Sequence, residues 1–146
     1  VAVFIFFGLV AVLGTQFTQA GRISLTGVLL ALGVGGMSAA VNLANNIRDI
    51  SSDAETGKIT LAVRLGDSRS RLLFTVLLTL PVIYTILMAF GSWLALIALV
   101  YIPFALNSVR TVNRGAKGKD LIPVLGLTGR AMLIWAVLSA LAVAVV

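Results

Sequence analysis

The chain has 146 residues, of which 60% are hydrophobic and only 11% are charged. In a soluble domain about one quarter of the residues are charged. The few charged side chains of this chain cannot cover a surface that faces water, and a lipid bilayer must therefore be part of the solvent. The absence of Cys and His excludes a disulfide framework and the usual zinc and iron ligands. The net charge of +6 does not indicate nucleic acid, because the basic residues are interleaved with apolar runs.

The apolar runs predict an all-α, polytopic transmembrane helix bundle, since about 20 apolar residues cross the hydrocarbon core. The stretch 72–109 carries no charge and is too long for one helix, so we place a turn at Gly91 and Ser92. The chain opens inside an apolar run without a Met or a basic leader, which we interpret as a missing upstream part. The five predicted spans are 1–20, 24–47, 71–90, 93–110 and 121–146.

Two polar segments, 45–71 and 110–120, separate these spans. They contain nine of the eleven basic residues, and two crossings between them place them on the same side. The positive-inside rule therefore predicts that both are cytoplasmic in a multi-pass protein of the cell membrane. We expect the segment 45–71 to be the catalytic loop.

The clearest chemical pattern in this loop is Asn45, Asp49 and Asp53, at four-residue spacing. A helix continuing from the second span would place all three on one face, with Asn42 one turn earlier on a neighbouring face. Oxygen ligands of this kind suit Mg²⁺, so we predict that Asp49, Asp53 and Asn45 bind the ion. The alternatives are solvated carboxylates and, for the amides of Asn45 and Asn46, helix termination. That last interpretation is favoured for Asn46.

Basic residues accompany these carboxylates. Arg48, Lys58 and Arg64 predict a site for diphosphate oxygens, which Arg grips with two parallel hydrogen bonds. A substrate that needs both a diphosphate site and a membrane is a polyprenyl diphosphate, with its tail between helices or in membrane lipid. Arg130 interrupts the last span. It either reaches back to the interface or binds an anionic group of a substrate.

The run from Asn45 to Lys58, NNIRDISSDAETGK, and the following TLAVRLG at 60–66 resemble the second aspartate-rich motif of the UbiA superfamily of intramembrane prenyltransferases. Within that superfamily, this form is similar to the branch that prenylates dihydroxynaphthoate. Two more stretches resemble the same branch. They are 6–15 in the first span and 121–130 at the start of the last span.

This resemblance implies nine transmembrane helices and two aspartate-rich motifs. The five spans would be helices five to nine, and the first motif would lie in a missing N-terminal half of the same chain, so the present fragment alone is expected to be inactive. The implied reaction uses Mg²⁺ at Asp49 and Asp53 to stabilise the diphosphate leaving group. The naphthoate ring then attacks the allylic cation with loss of CO₂, giving demethylmenaquinone, and Asn42 and Arg130 are expected to contact substrate.

Two alternatives remain open at this point. Another branch of the superfamily would use a different aromatic or a sugar-phosphate acceptor, which the metal motif does not distinguish. A transporter or channel fragment would place polar residues in the middle of several spans. The charges of this chain instead cluster at one end of the predicted bundle.

Overall fold

The computed structural model describes residues 1–145, which form helices joined by short connections and contain no strand. The first part of α1, Phe4–Leu13, is a π-helix, and α6 and α7 each begin with 3₁₀ turns. The helices are α1 (Phe4–Ala20), α2 (Leu25–Arg48), α3 (Ile50–Glu55), α4 (Leu61–Leu65), α5 (Asp67–Ala89), α6 (Trp93–Asn113) and α7 (Gly118–Ala144).

Four helices, α2, α5, α6 and α7, are long and apolar enough to cross a membrane. This confirms the predicted all-α membrane bundle. The helix α1 is also apolar but shorter, so the membrane crossing of residues 1–20 stays a prediction. The helices α5 and α7 begin earlier than the predicted spans, because backbone hydrogen bonding continues past the apolar core into polar sequence. The end of the last predicted span, Val146, lies outside the described residues.

The helices α1 and α2 approach each other closely at two glycines. A side chain on Gly8 would lie 2.6 Å from the carbonyl oxygen of Ala31 and 2.7 Å from Cα of Gly35. Small residues at such a crossing let two backbones come into direct contact, which is a common basis of helix association in membranes. The contact fixes α1 against the side of α2.

The connection between α1 and α2 is closed by polar side chains. The hydroxyl of Ser24 caps α2 by accepting from the backbone N–H of Gly27 at 3.1 Å. The amide of Gln16 donates to the same hydroxyl at 2.7 Å and accepts from the N–H of Ser24 at 3.2 Å. These bonds satisfy groups at the helix start that would otherwise lack partners.

A single buried tryptophan joins α2, α5 and α7 at the centre of the bundle. The indole of Trp135 lies against the bare backbone of Gly33, where a methyl group would meet the ring. Its Nε1 donates to Thr85 Oγ1 at 2.8 Å, and that hydroxyl donates to the carbonyl of Pro81 at 2.8 Å. The polar atom of the ring is therefore satisfied inside an apolar core.

The two polar connections meet at one end of the bundle. One cavity there is lined by Ile47, Asp67 and Lys117, and the buried guanidinium of Arg71 links the same regions. It donates to both carboxylate oxygens of Asp67, at 2.7 and 2.8 Å, and to the carbonyls of Val112 and Ala116. The predicted placement of both polar segments at the same end is confirmed.

Candidate metal and diphosphate site

The aspartate segment is a nearly continuous helix with one irregular residue. The helix α2 ends at Arg48, Asp49 has φ −101° and ψ 9°, and α3 starts at the next residue. The N–H of Asp49 still donates to the carbonyl of Asn45 at 3.1 Å, and the N–H of Asp53 to that of Asp49 at 2.8 Å. The predicted helical continuation therefore holds along the backbone, with an irregularity at Asp49.

Asp53 is the most enclosed charged residue of this segment. Its side chain is 8% exposed, and Oδ1 accepts from Lys58 Nζ at 3.0 Å. Its Oδ2 is buried and has no hydrogen-bond partner within residues 1–145. A buried carboxylate oxygen without a partner is costly, and a cation relieves that cost. The residue thus fits the binding of Mg²⁺, which takes oxygen ligands.

Asp49 has a different environment one turn earlier. The neighbouring Arg48 donates from Nε to Oδ1 at 2.7 Å and from Nη2 to Oδ2 at 2.8 Å. These hydrogen bonds hold the pKa of the Asp49 carboxyl below its usual value, against the opposing effect of partial burial. Asp49 is therefore ionised at neutral pH, and any cation that binds it competes with a guanidinium.

The remaining predicted residues are less closely grouped. The side chains of Asn45, Arg64 and Arg130 make no hydrogen bond or ion pair within residues 1–145, and both arginines are exposed. Arg130 belongs to the outward stripe of α7 together with Leu133 and Val137. Their predicted roles in binding metal, diphosphate or substrate stay predictions.

The sequence reasoning undervalued Asn46. Its backbone remains inside α2, which continues to Arg48, so the residue does not terminate the helix. Its side chain lines a cavity of about 250 Å³ together with Asn42, one turn earlier. The four-residue spacing of these two amides was the signal that could have identified the pair.

The bundle and this polar end define a multi-pass membrane protein with carboxylates and basic side chains gathered at one surface. The sequence matches the UbiA prenyltransferase family over residues 1–137. The chain therefore belongs to the UbiA prenyltransferase family, as its aspartate segment suggests.

Three bacterial relatives of the chain are each named 1,4-dihydroxy-2-naphthoate octaprenyltransferase. The chain is 51% identical to the protein of that name from Mycobacterium leprae, over 94% of the chain and 47% of the relative. Identity is 48% to the Mycobacterium tuberculosis protein, over 98% and 49%, and 34% to that of Haemophilus influenzae, over 86% and 42%. The chain spans about half the length of these relatives. No solved structure gives a significant match.

Proposed function

We propose that the protein to which this chain belongs transfers a polyprenyl group from a polyprenyl diphosphate to 1,4-dihydroxy-2-naphthoate. In this reaction a ring carbon bonds to the allylic carbon, diphosphate leaves, and the ring loses its carboxylate as CO₂, giving the hydroquinone form of demethylmenaquinone, which a separate two-electron oxidation converts to the quinone. The observation that carries the proposal is the buried Oδ2 of Asp53, which has no partner within residues 1–145, in the same segment as Lys58 and the Arg48–Asp49 pair. The names of the two mycobacterial relatives support the choice of acceptor.

In this proposal the carboxylates of Asp49 and Asp53, with the amide oxygen of Asn45, hold Mg²⁺. When bound, the ion neutralises negative charge on the diphosphate and so favours its departure. Arg48 and Lys58 lie beside the two carboxylates and supply donors to the diphosphate oxygens. Arg64 is exposed on α4 and would act from the rim. Arg130 lies exposed on α7, and its contact with substrate is proposed only from the family resemblance.

The apolar helices are proposed to exclude water from the reacting groups. An allylic cation is trapped by water unless the site excludes water. The apolar faces of α2 and α5 lie next to the polar end and provide a hydrocarbon wall. The isoprenoid tail would lie along these helices or in the surrounding lipid.

We further propose that a second aspartate-rich segment, outside this chain, completes the site. Within residues 1–145, no three acidic side chains form a group able to hold a metal, and the chain spans about half the length of its relatives. A diphosphate carries more charge than one carboxylate-bound ion neutralises. We therefore expect this fragment alone to be inactive.

The proposed location and orientation of the protein follow from the distribution of its basic residues. Nine of the eleven basic residues lie in the two polar connections, which meet at one end of the bundle. By the positive-inside rule that end faces the cytoplasm. We therefore propose a multi-pass protein of the plasma membrane with its site on the cytoplasmic side.

The decisive experiment replaces each carboxylate in the full-length protein. Asp53→Asn and Asp49→Asn should each lower prenyl transfer to dihydroxynaphthoate about a thousandfold, because each removes several kcal/mol of charge stabilisation from the leaving group. The assay measures labelled product from polyprenyl diphosphate in the presence of Mg²⁺. Asp120→Asn is the matched control, since Asp120 is exposed and belongs to the other connection.

Near-normal turnover of Asp53→Asn at saturating Mg²⁺ would rule out its metal role. The same assay with 4-hydroxybenzoate in place of dihydroxynaphthoate tests the acceptor. Efficient prenylation of the benzoate, with none of the naphthoate, would assign the protein to a different branch of the family.

A further inference from the structure

A groove between α5 and α6 opens on the outer surface of the bundle. Towards the polar end it widens into a cavity of about 480 Å³, lined by the polar side chains of Ser68, Thr75 and Asn113 and by the exposed Leu72. This polar part is the mouth of the groove. Deeper in the bundle the same two helices enclose an apolar cavity of about 70 Å³. Among the described residues, none from the segment 45–58 lines either cavity, so the groove is separate from the proposed metal site.

The two cavities follow one another along the helices. Thr75 lines the mouth and Thr79 lines the apolar cavity, four residues or about 6 Å further along α5. On α6, Asn113 and Val109 have the same spacing. The surroundings therefore change from polar to hydrocarbon within one helical turn. That order suits an elongated molecule with one polar end and an apolar chain.

Hydrogen bonds fix the geometry of the mouth. Asn113 Nδ2 donates to Thr75 Oγ1 at 3.1 Å, and that hydroxyl donates to the carbonyl of Arg71 at 3.0 Å. The guanidinium of Arg71 lines the mouth as well. Its charge is offset by Asp67, to which it donates two hydrogen bonds. The floor of the mouth thus offers polar groups without net charge.

The rim of the mouth is positively charged. On α5, Arg69 lies one turn before Leu72. On α6, Arg110 lies one turn before Asn113, and Arg114 follows it directly. These three arginines are exposed, and none of them forms an ion pair within residues 1–145. The rim therefore carries uncompensated positive charge, which an anionic group would neutralise.

We propose that this groove binds an anionic phospholipid, with its phosphate at the mouth and one acyl chain along the apolar cavity. Phosphate oxygens pair well with arginine, and basic clusters at the end of a membrane span attract anionic headgroups. Both α5 and α6 are long and apolar enough to cross a membrane, so their outward groove adjoins lipid. The inference does not depend on the reaction that the protein catalyses.

A polyprenyl diphosphate also joins phosphate to a hydrocarbon chain, but it fits this groove less well. Its diphosphate carries more charge than a phosphodiester and is bound in proteins together with a metal ion. The acidic side chain at this mouth, Asp67, is paired with Arg71. A single phosphodiester needs no metal, which favours the phospholipid.

The test measures lipid binding to the purified full-length protein in detergent by native mass spectrometry. Phosphatidylglycerol should bind about tenfold more tightly than phosphatidylcholine with the same acyl chains, because only the former has a net negative charge. The double variant Arg110→Gln/Arg114→Gln should raise the Kd of phosphatidylglycerol about thirtyfold, or about fivefold for each residue. The preference over phosphatidylcholine should then disappear.

Matched variants separate the groove from general surface properties. Arg22→Gln/Lys119→Gln removes two exposed charges elsewhere and should change the Kd by at most about twofold, since distant exposed charges are screened by salt. Leu106→Trp fills the groove at the apolar cavity and should weaken the binding of both lipids. Ile83→Trp, at an exposed position of α5 outside the groove, should weaken neither.

A second measurement needs no substitution. Phosphatidylglycerol with a photoreactive diazirine in its acyl chain is added to the unaltered protein in equimolar amount. It should label peptides containing 78–82 and 102–109, which line the apolar cavity, more strongly than peptides from the exposed face of α7. Excess unlabelled phosphatidylglycerol should suppress this labelling, and excess phosphatidylcholine should not.

Four results would overturn the assignment. They are equal Kd values for the two lipids in the unaltered protein, an equal loss of affinity in the two double variants, even labelling of all apolar helices, and suppression of the labelling by farnesyl diphosphate at the concentration at which phosphatidylglycerol acts. The last result would assign the groove to the prenyl donor.

Discussion

At the scale of single residues, Asp49 and Asp53 show how one spacing yields two environments. Asp49 is one third exposed and has both oxygens engaged by Arg48. Asp53 is buried, and one of its oxygens is bonded to Lys58 while the other has no partner among the residues that the structure describes. The sequence predicted both carboxylates and both cations. It did not predict this pairing, because the pairing depends on where the chain turns after α3.

Arg71 is the residue whose importance the sequence concealed. In the sequence it is one of several basic residues of a polar segment. In the structure its guanidinium is buried and donates hydrogen bonds to Asp67 and to the carbonyls of Val112 and Ala116. A buried carbonyl that loses its donor costs about 1–3 kcal/mol. Arg71 therefore stabilises the polar end of the bundle by joining its two connections.

We expect Arg71→Met to lower the stability of the protein by about 1–3 kcal/mol, because it removes the hydrogen bonds of a buried guanidinium to Asp67 and to the carbonyls of Val112 and Ala116. Thermal unfolding of the purified full-length protein in detergent measures the change. Arg69→Met is the control, since Arg69 is exposed and its replacement should change stability by less than about 0.5 kcal/mol. Equal melting temperatures for both variants would show that Arg71 does not stabilise the two connections.

At the scale of elements, the glycines distinguish contact faces from free faces. Gly8 in α1 is buried against Ala31 and Gly35 of α2, whereas nothing lies within 4 Å of the position of a side chain on Gly14 in the same helix. Both residues belong to helical backbone. The difference between them arises only from the neighbouring helix.

Gly8→Ala and Gly14→Ala should therefore have opposite effects. The methyl group at residue 8 forces α1 and α2 apart, at a cost of about 1–3 kcal/mol. At residue 14 it meets no atom and improves helix propensity by up to about 1 kcal/mol. The same unfolding measurement compares the two variants. If Gly8→Ala were more stable than Gly14→Ala, the direct backbone contact between α1 and α2 at Gly8 would be contradicted.

At the scale of the whole molecule, the bundle has two unlike ends. The aspartate segment, the start of α5 and the connection before α7 surround one cavity. The first turn of α2, the turn at Gly91 and Ser92, and the end of α7 surround another. The basic residues are concentrated at the first end. Because basic loops favour one side of a membrane, this distribution of charge predicts the orientation of the bundle.

Single cysteines can report that orientation, since the chain has none of its own. Cysteines at Ser68 and Ala116 should react with an impermeant maleimide only from the cytoplasmic side, and one at Ser92 only from the outside. Labelling is compared between intact cells and inside-out vesicles. Opposite sides for Ser68 and Ala116 would contradict the pairing of the two connections, and outside labelling of both would reverse the orientation.

The sequence by itself determined the helical class, the approximate bounds of the four long apolar helices, the shared end of the two polar connections and the residues of the aspartate motif. These depend on local quantities, namely the length of apolar runs, the four-residue spacing and the distribution of charge. Tertiary structure alone decided that one oxygen of Asp53 has no partner within residues 1–145, that Asn46 and Asn42 line the same cavity and that Arg71 bridges the two connections. Each of these depends on contacts between residues far apart in the chain or on how neighbouring helices enclose a side chain. The spacing of residues along one segment does not specify such contacts.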